Sequence, residues 1–267
     1  MTTLGPDPEP VRFVIDGVEH CGEWRGKRDA RSPAFVLLHD GLGCIANWRQ
    51  FPDDLAAATG WPVFAYDRWG YGGSAWREAF PTGFMEDEAA RLSLVLDAAK
   101  IEECVLVGHS DGGTIALVHA AGQARRVSAV VTMAAHVIVD PSSGTLLDQL
   151  EAALQAGAPP HWLARFHGDR GPHLLGCWID VWRREFDNGW SIEPRLPDIA
   201  TPLLAMQGAE DPNKIPAHLE IIAGAVRGAE TRALDGLGHF PHLERPDVVV
   251  QEIVDFVDRN DLRGSRK

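Results

Sequence analysis

An apolar strand that turns sharply into a helix is the feature that most constrains the fold of this chain. The apolar run at residues 104–107 leads into Gly108-His109-Ser110-Asp111-Gly112, and a helix-compatible segment follows Gly113. Glycines on both sides of Ser110 let the chain pass closely and tolerate a strained residue at the apex of the turn. The pattern Gly-x-Ser-x-Gly therefore predicts a serine hydroxyl held out from the end of a buried strand. An ordinary glycine-rich turn that packs tightly or binds an anion is the alternative.

Further apolar strands alternate with helical segments along the chain. A hairpin is predicted at Asp16-Gly17, and apolar runs recur at 34–38, 62–66, 127–133 and 201–207. Such alternation indicates a mostly parallel sheet wrapped by helices, and ligands bind such sheets at the carboxyl ends of the strands. His39, Ser110 and His136 each follow a strand end. We therefore expect these three residues to converge at one rim.

Composition excludes several classes of protein. The chain of 267 residues has a net charge of −13 and no basic cluster before residues 263–267, which argues against nucleic-acid binding. The N-terminal residues do not resemble a secretory signal, and no run approaches the ~20 apolar residues that span a bilayer. The four cysteines lack metal or disulfide spacing. The sequence predicts a cytoplasmic protein, monomeric or homodimeric, with no membrane or nucleic-acid partner.

Three segments together resemble the serine-nucleophile branch of the α/β-hydrolase fold superfamily. They are the Gly-His-Ser-Asp-Gly-Gly segment, the Gly-x-x-Asp turn ending at Asp211, and the Gly-His-Phe-Pro-His loop containing His239. The resemblance implies Ser110 as nucleophile, His239 as base and Asp211 as the acid, in the chain order of this fold. Glu210 and His242 are the rival carboxylate and histidine. The implied fold is an eight-stranded, mostly parallel, doubly wound sheet with a helical cap inserted after the sixth strand.

The loop His39-Asp40-Gly41-Leu42-Gly43 resembles the family's oxyanion loop, although Asp40 stands where glycine is usual. By this resemblance the backbone N–H groups of Asp111 and of either Gly41 or Leu42 receive the developing negative charge. A carboxylate beside an oxyanion is unfavourable. We therefore expect the Asp111 side chain to point away from the oxyanion hole, the site formed by these N–H groups, and to be hydrogen-bonded or paired.

The resemblance places the cap at residues 137–197 and the core at 1–136 and 198–267. Aromatic residues of the cap are candidates for a substrate pocket, although some are expected to anchor the cap to the core instead. This aromatic set is Trp162, Phe166, Trp178, Trp182, Phe186 and Trp190. The predicted substrate-binding residues are His39, His109, His136, Trp162, Phe166, Trp178, Trp182 and Phe240. In the loop that follows residue 66, Asp67 and Arg68 are expected to pair.

The predicted activity is hydrolysis of a small carboxylic ester through an acyl-enzyme, with a small-molecule acyl substrate and water as partners. No metal or other cofactor is expected. The alternatives are C–C bond hydrolysis, amide cleavage or cofactor-free perhydrolysis with the same three residues, or a non-catalytic ligand-binding protein on a hydrolase frame. Epoxide hydrolase and haloalkane dehalogenase chemistry in this fold requires aspartate where this chain has Ser110.

Overall fold

The computed structural model describes residues 8–28, 33–122, 124–139, 141–212 and 216–262. The predictions for residues 1–7 and for the basic stretch 263–267 lie outside these ranges. In the described part of the chain eight strands form one sheet: β1 (Glu9–Ile15), β2 (Val18–Arg25), β3 (Ala34–Leu38), β4 (Val63–Tyr66), β5 (Cys104–His109), β6 (Val127–Met133), β7 (Leu203–Gly208) and β8 (Glu230–Leu234).

The helices of the described residues cover the sheet and its upper rim. They are α1 (Phe51–Thr59), α2 (Phe84–Ala98), α3 (Asp111–Gly122), α4 (Pro141–Gln155), α5 (His161–His167), α6 (Gly171–Asp187), α7 (Pro216–Ala225), α8 (Pro241–Glu244) and α9 (Pro246–Arg259). Over the described ranges, no helix is both long and apolar enough to cross a membrane.

The strand order is β1-β2-β4-β3-β5-β6-β7-β8. β1 and β2 pair antiparallel around the predicted Asp16-Gly17 turn, and β2 pairs antiparallel with β4, whereas the other neighbours are parallel. The predicted eight-stranded, mostly parallel sheet is confirmed. Because β3, β5, β6 and β7 are parallel neighbours, their carboxyl ends lie at the same edge of the sheet.

Alternate residues of the central strands pack into two separate apolar cores. Phe35 and Leu37 face one side, where α1 and α9 cover them, while Val36 and Leu38 face the other, where α2 and α3 pack. Side chains alternate between the faces of a strand, so a strand that is covered on both sides must be apolar throughout. The uninterrupted apolar run at residues 34–38 has this cause.

Residues 137–197, here called the helical insertion, separate β6 from β7 in the sequence. They contain α4, α5, α6 and a 3₁₀ turn at Gly168–Arg170, and a second 3₁₀ turn, Glu193–Asp198, begins in the insertion and ends one residue beyond it. The insertion starts and ends close together, since Ile138 forms an isolated antiparallel bridge with Ser191. Helices were expected here from the sequence, and the division into core and cap remains a prediction.

The loop after β4 contradicts the expected pairing of Asp67 with Arg68. The Asp67 carboxylate accepts hydrogen bonds from the backbone N–H groups of Ile45 and Gly73, both 2.7 Å long. The Arg68 guanidinium instead donates to the carbonyl oxygen of Asp40 at 2.7 Å. Adjacent side chains leave the backbone in different directions, and here each one contacts a different part of the connection between β3 and α1.

Candidate active site

Ser110 occupies the turn between β5 and α3 with a φ of 53°. A residue other than glycine rarely adopts this left-handed conformation, which stores strain at the turn. Both flanking glycines are required by space: a Cβ on Gly108 would lie 2.2 Å from the Gly112 carbonyl oxygen, and one on Gly112 would lie 2.0 Å from that of Leu38. The Ser110 N–H donates to the Met133 carbonyl at 2.8 Å, which fixes the turn to β6.

Three side chains that are far apart in the sequence meet at this turn. The Nε2 atom of His239 lies 3.3 Å from the Ser110 hydroxyl oxygen, and its Nδ1 lies 2.8 Å from Oδ2 of Asp211. A carboxylate only accepts hydrogen bonds, so Nδ1 donates and the neutral ring presents its Nε2 lone pair to the serine. This arrangement can remove a proton from the Ser110 hydroxyl.

The rival residues lie elsewhere. The Glu210 side chain is exposed to solvent and does not line the cavity described below, whereas Asp211 is buried directly behind His239. His242 is buried against Trp48 and Phe51 and does not line the cavity. Burial, followed by the nearby His239, lowers the pKa of His242 to about 3, which keeps it neutral.

Residues 39–43 form a tight turn beside Ser110, here called the 39–43 loop. The Gly43 N–H donates to the Asp40 carbonyl oxygen at 3.2 Å, and the Arg68 guanidinium donates to the same oxygen. A side chain at Gly41 would force Trp178 and Asp111 to move, because a Cβ there would lie 2.2 Å from Nε1 of Trp178 and 2.6 Å from Oδ2 of Asp111. The loop backbone therefore lies directly against the helical insertion.

The Asp111 side chain is hydrogen-bonded, as expected, but it does not point away from the site. Its Oδ2 accepts a 2.9 Å hydrogen bond from Nε1 of Trp178 and lies over Gly41, and the residue lines the cavity. The expected direction was inferred from charge repulsion alone. A donor from the helical insertion, absent from that reasoning, holds the carboxylate in place.

A cavity of about 260 Å³ lies between the strand ends and the helical insertion. Five predicted substrate-binding residues line it, as do all the predicted catalytic and hole residues except Asp211. The lining consists of Asp40, Gly41, Leu42, Ser110, Asp111, His136, Ile138, Val139, Leu146, Leu147, Leu150, Trp162, Trp178, Trp182, Phe186, His239 and Phe240.

Three predicted substrate-binding residues are not part of this lining. The His39 ring is buried against Arg68, whose backbone N–H donates to its Nε2 at 3.2 Å. His109 is also buried, and its Nε2 donates to the carbonyl oxygen of His239 at 2.7 Å. Phe166 packs beside Trp162 on α5, outside the cavity. His39 follows β3 and His109 is the last residue of β5, so both residues lie near the rim, but their rings turn into the protein.

Sequence reasoning missed most of the aliphatic wall. Leu146, Leu147 and Leu150 of α4 line the cavity, together with Ile138 and Val139. The signal available was the apolar spacing i, i+1, i+4 in a predicted helix, which marks a buried face without telling whether it faces core or ligand. The sequence marks Asp40 only as a departure from glycine and does not predict its place in the cavity lining.

Two carboxyl groups, of Asp40 and Asp111, and two histidine rings, of His136 and His239, are the ionisable groups that line the cavity in the part of the chain that the structure describes. Burial raises the pKa of Asp40 to about 6, while His239 acts to lower it and Asp111 to raise it. Burial, followed by His218 and His239, lowers the pKa of His136 to about 4, so this ring is uncharged at neutral pH. Among the described residues that line the cavity there is no lysine or arginine.

Several curated proteins match most of the chain. The 2-succinyl-6-hydroxy-2,4-cyclohexadiene-1-carboxylate synthase of Serratia proteamaculans (strain 568) is 25% identical over 260 residues, which cover 86% of this chain and 94% of that protein. Epoxide hydrolase A of Mycobacterium tuberculosis is also 25% identical, over 301 residues that cover 87% of this chain and 92% of that protein.

The fold is similar to that of a solved structure, the 2-hydroxy-6-oxo-6-phenylhexa-2,4-dienoate hydrolase from Rhodococcus sp. strain RHA1. The TM-score is 0.77 at 21% identity, with 94% of this chain and 98% of that chain covered. A family model described as alpha/beta hydrolase family matches residues 35–252. With this match over most of its length and the fold described above, the chain belongs to the alpha/beta hydrolase family and is a hydrolase.

Proposed function

We propose that this hydrolase cleaves a small carboxylic ester through an acyl-enzyme on Ser110. The observation that carries the proposal is the chain of contacts from the Ser110 hydroxyl to His239 at 3.3 Å and from His239 to Asp211 at 2.8 Å. An alcohol is a weak nucleophile at neutral pH, so a base within hydrogen-bond reach is the feature that makes the serine reactive.

His239 takes the Ser110 proton as the serine oxygen bonds to the ester carbonyl carbon, and Asp211 stabilises the imidazolium that forms. The negative charge then lies on the former carbonyl oxygen, where the N–H groups of Asp111 and of Gly41 or Leu42 receive it. The imidazolium returns its proton to the leaving alcohol as the C–O bond breaks. Water activated by His239 attacks the acyl-enzyme and releases the acid.

The cavity supports a small, largely apolar acyl group. Its volume of about 260 Å³ is small for a ligand site, and aliphatic and aromatic side chains form most of its wall. Because α4 and α6 provide that wall, we propose that residues 137–197 form a cap domain on a core of 1–136 and 198–267. Closure of such a cap keeps the acyl-enzyme away from bulk water.

The charge of the cavity favours esters over the C–C bond alternative. The names of two similar proteins, the cyclohexadiene-1-carboxylate synthase and the dienoate hydrolase, refer to carboxylates. A bound carboxylate needs a cationic partner, but the described lining residues include Asp40 and Asp111 and no lysine or arginine. This charge supports a neutral ester substrate. The serine at position 110, in the turn between β5 and α3, also argues against the epoxide chemistry named for another relative.

The test combines labelling with turnover. A fluorophosphonate probe is expected to label the wild-type protein and the Ser191→Ala control, whose serine lies outside the cavity lining, but not Ser110→Ala. Turnover is expected on p-nitrophenyl esters of short to medium chain length. A labelled protein that leaves all the esters and an anilide panel intact would point to C–C hydrolysis. A protein that is neither labelled nor active would be a ligand-binding protein, and the proposal would be wrong.

A further inference from the structure

His167, the last residue of α5, connects the helical insertion to two loops of the sheet domain. Its side chain is buried. The backbone N–H of Gly72 donates to Nδ1 at 3.0 Å, and Nε2 lies 2.8 Å from the carbonyl oxygen of Leu42. One imidazole therefore links the insertion both to the loop after β4 and to the 39–43 loop.

These partners determine which nitrogen carries the proton. An amide N–H can only donate and a carbonyl oxygen can only accept, so the ring must be neutral with its hydrogen on Nε2. Burial, the largest influence, lowers the pKa of His167, the bond to Leu42 acts to raise it, and Arg170 acts to lower it. A protonated ring would direct an N–H at the N–H of Gly72 and break that contact.

The bond to Leu42 matters because of where it acts on the backbone. A carbonyl and the N–H of the next residue share one rigid peptide plane. The Arg68 guanidinium fixes the plane that contains the Asp40 carbonyl and the Gly41 N–H. His167 fixes the plane that contains the Leu42 carbonyl and the Gly43 N–H. The plane between them, which carries the Leu42 N–H, is thus held at both ends.

We propose that His167 is a positioning residue that, through its hydrogen bond to the Leu42 carbonyl, orients the 39–43 loop to receive the oxyanion. This inference rests on the proposed ester hydrolysis, in which Gly41 or Leu42 supplies a hole donor. Arg68 lies in the loop after β4, in the core, whereas His167 belongs to the helical insertion. The hydrogen bond of His167 therefore couples docking of the insertion to assembly of the hole.

Two amide substitutions separate the two hydrogen bonds. The amide nitrogen of glutamine reaches about as far as Nε2 of histidine, so it can donate to the Leu42 carbonyl oxygen. The amide oxygen of asparagine lies near the position of Nδ1, so it can accept from the Gly72 N–H, but the shorter side chain does not reach Leu42. Losing a whole hole donor typically lowers kcat by about 10²–10³-fold, so a misdirected donor should cost less. We expect His167→Gln to keep kcat within about threefold of the wild type.

His167→Asn and His167→Phe should each lose about tenfold in kcat with KM changed less than threefold, since a hole donor acts mainly in the transition state. Amide hydrogen exchange across residues 40–43 should be faster in both variants than in His167→Gln. The matched control is His161→Asn, at the exposed first position of the same helix. It should leave kcat and exchange unchanged.

If the wild-type enzyme is active and the His167→Asn variant keeps its kcat and its exchange rates, the role of His167 is overturned while the proposed ester hydrolysis stands. Equal losses of kcat in the glutamine and asparagine variants would also overturn it, because they would show a general effect of packing. Thermal unfolding of each variant checks that the proteins compared are folded. A wild-type protein that neither reacts with fluorophosphonate nor hydrolyses esters would instead overturn the proposed function.

Discussion

The indole Nε1 of Trp178 donates a 2.9 Å hydrogen bond to Oδ2 of Asp111, directly above Gly41. This contact joins the helical insertion to the residue that follows the nucleophile. It stabilises a buried carboxylate that would otherwise be costly to keep out of water. It also holds the Asp111 carboxyl group on the cavity wall beside the proposed hole, where we expect it to disfavour anionic substrates.

The charge of Asp111 should appear in substrate preference. We expect Asp111→Asn, whose amide oxygen can still accept from Trp178, to narrow the preference for neutral p-nitrophenyl butyrate over the anionic p-nitrophenyl hemiglutarate. At an effective dielectric constant of about 20, removing one charge about 8–16 Å away is worth about 1–2 kcal/mol, or about 5–30-fold in the ratio of kcat/KM. Asp148→Asn, an exposed change of equal charge on α4, should leave the ratio unaltered.

Gly41 should not tolerate a side chain. A methyl group there must displace Trp178 or Asp111, since its Cβ would lie 2.2 Å and 2.6 Å from their polar atoms. We expect Gly41→Ala to lower kcat by about tenfold or more through distortion of the hole. Gly224→Ala in α7, where nothing lies within 4 Å, should stabilise the fold by about 0.5–1 kcal/mol and leave kcat unchanged. Equal kcat in both variants would contradict this interpretation of the 39–43 loop.

The choice between the two adjacent carboxylates can be measured directly. Asp211→Asn should lower kcat by about 10⁴-fold, because the amide no longer holds His239 in the correct tautomer or stabilises the imidazolium. Glu210→Gln changes the exposed neighbour and should have no more than a twofold effect. Steady-state kinetics of both variants on one ester decides the assignment, and a larger loss in the Glu210 variant would reverse it.

The sequence predicted the elements of the sheet because strands covered on both sides are apolar throughout and end at glycine-containing turns. It also placed Ser110, Asp211 and His239 in turns that follow three different elements. It did not predict the direction of side chains at strand ends. His39 and Ser110 both follow strands, yet the His39 ring is buried against Arg68, whereas the Ser110 hydroxyl lines the cavity.

Two further features depended on tertiary contacts that no local pattern encodes. The apolar face of α4 was visible, but its neighbours decide whether Leu147 and Leu150 face a core or a cavity. The contacts of Arg68 and His167 with the 39–43 loop join residues 28 and 125 positions apart in the sequence. Spacing rules of a helix or strand do not extend to such distances.

Stability should fall on acidification, and His242 should account for part of the loss. Burial lowers its folded pKa to about 3, against about 6.5 in the unfolded chain. The unfolded state therefore takes up a proton below pH 6.5 that the folded state refuses. Neutral His242 makes its full contribution to the free energy of unfolding above pH 6.5. This contribution falls as the pH drops from 6.5 towards 3, and the loss is about 2 kcal/mol at pH 5.

Asp40 and Asp67 act in the opposite direction, because burial raises the pKa of each to about 6 and the folded state binds their protons first as the pH falls. A substitution isolates the histidine from this background. Between pH 7.5 and pH 5, His242→Gln should lose about 2 kcal/mol less of its unfolding free energy than the wild type, as measured by urea denaturation, whatever its stability at pH 7.5. The exposed His161→Gln should follow the wild-type slope. If the His242 variant loses as much unfolding free energy between pH 7.5 and pH 5 as the wild type, the His242 side chain is protonated in the folded protein. Its contacts with Trp48 and Phe51 then do not keep it neutral.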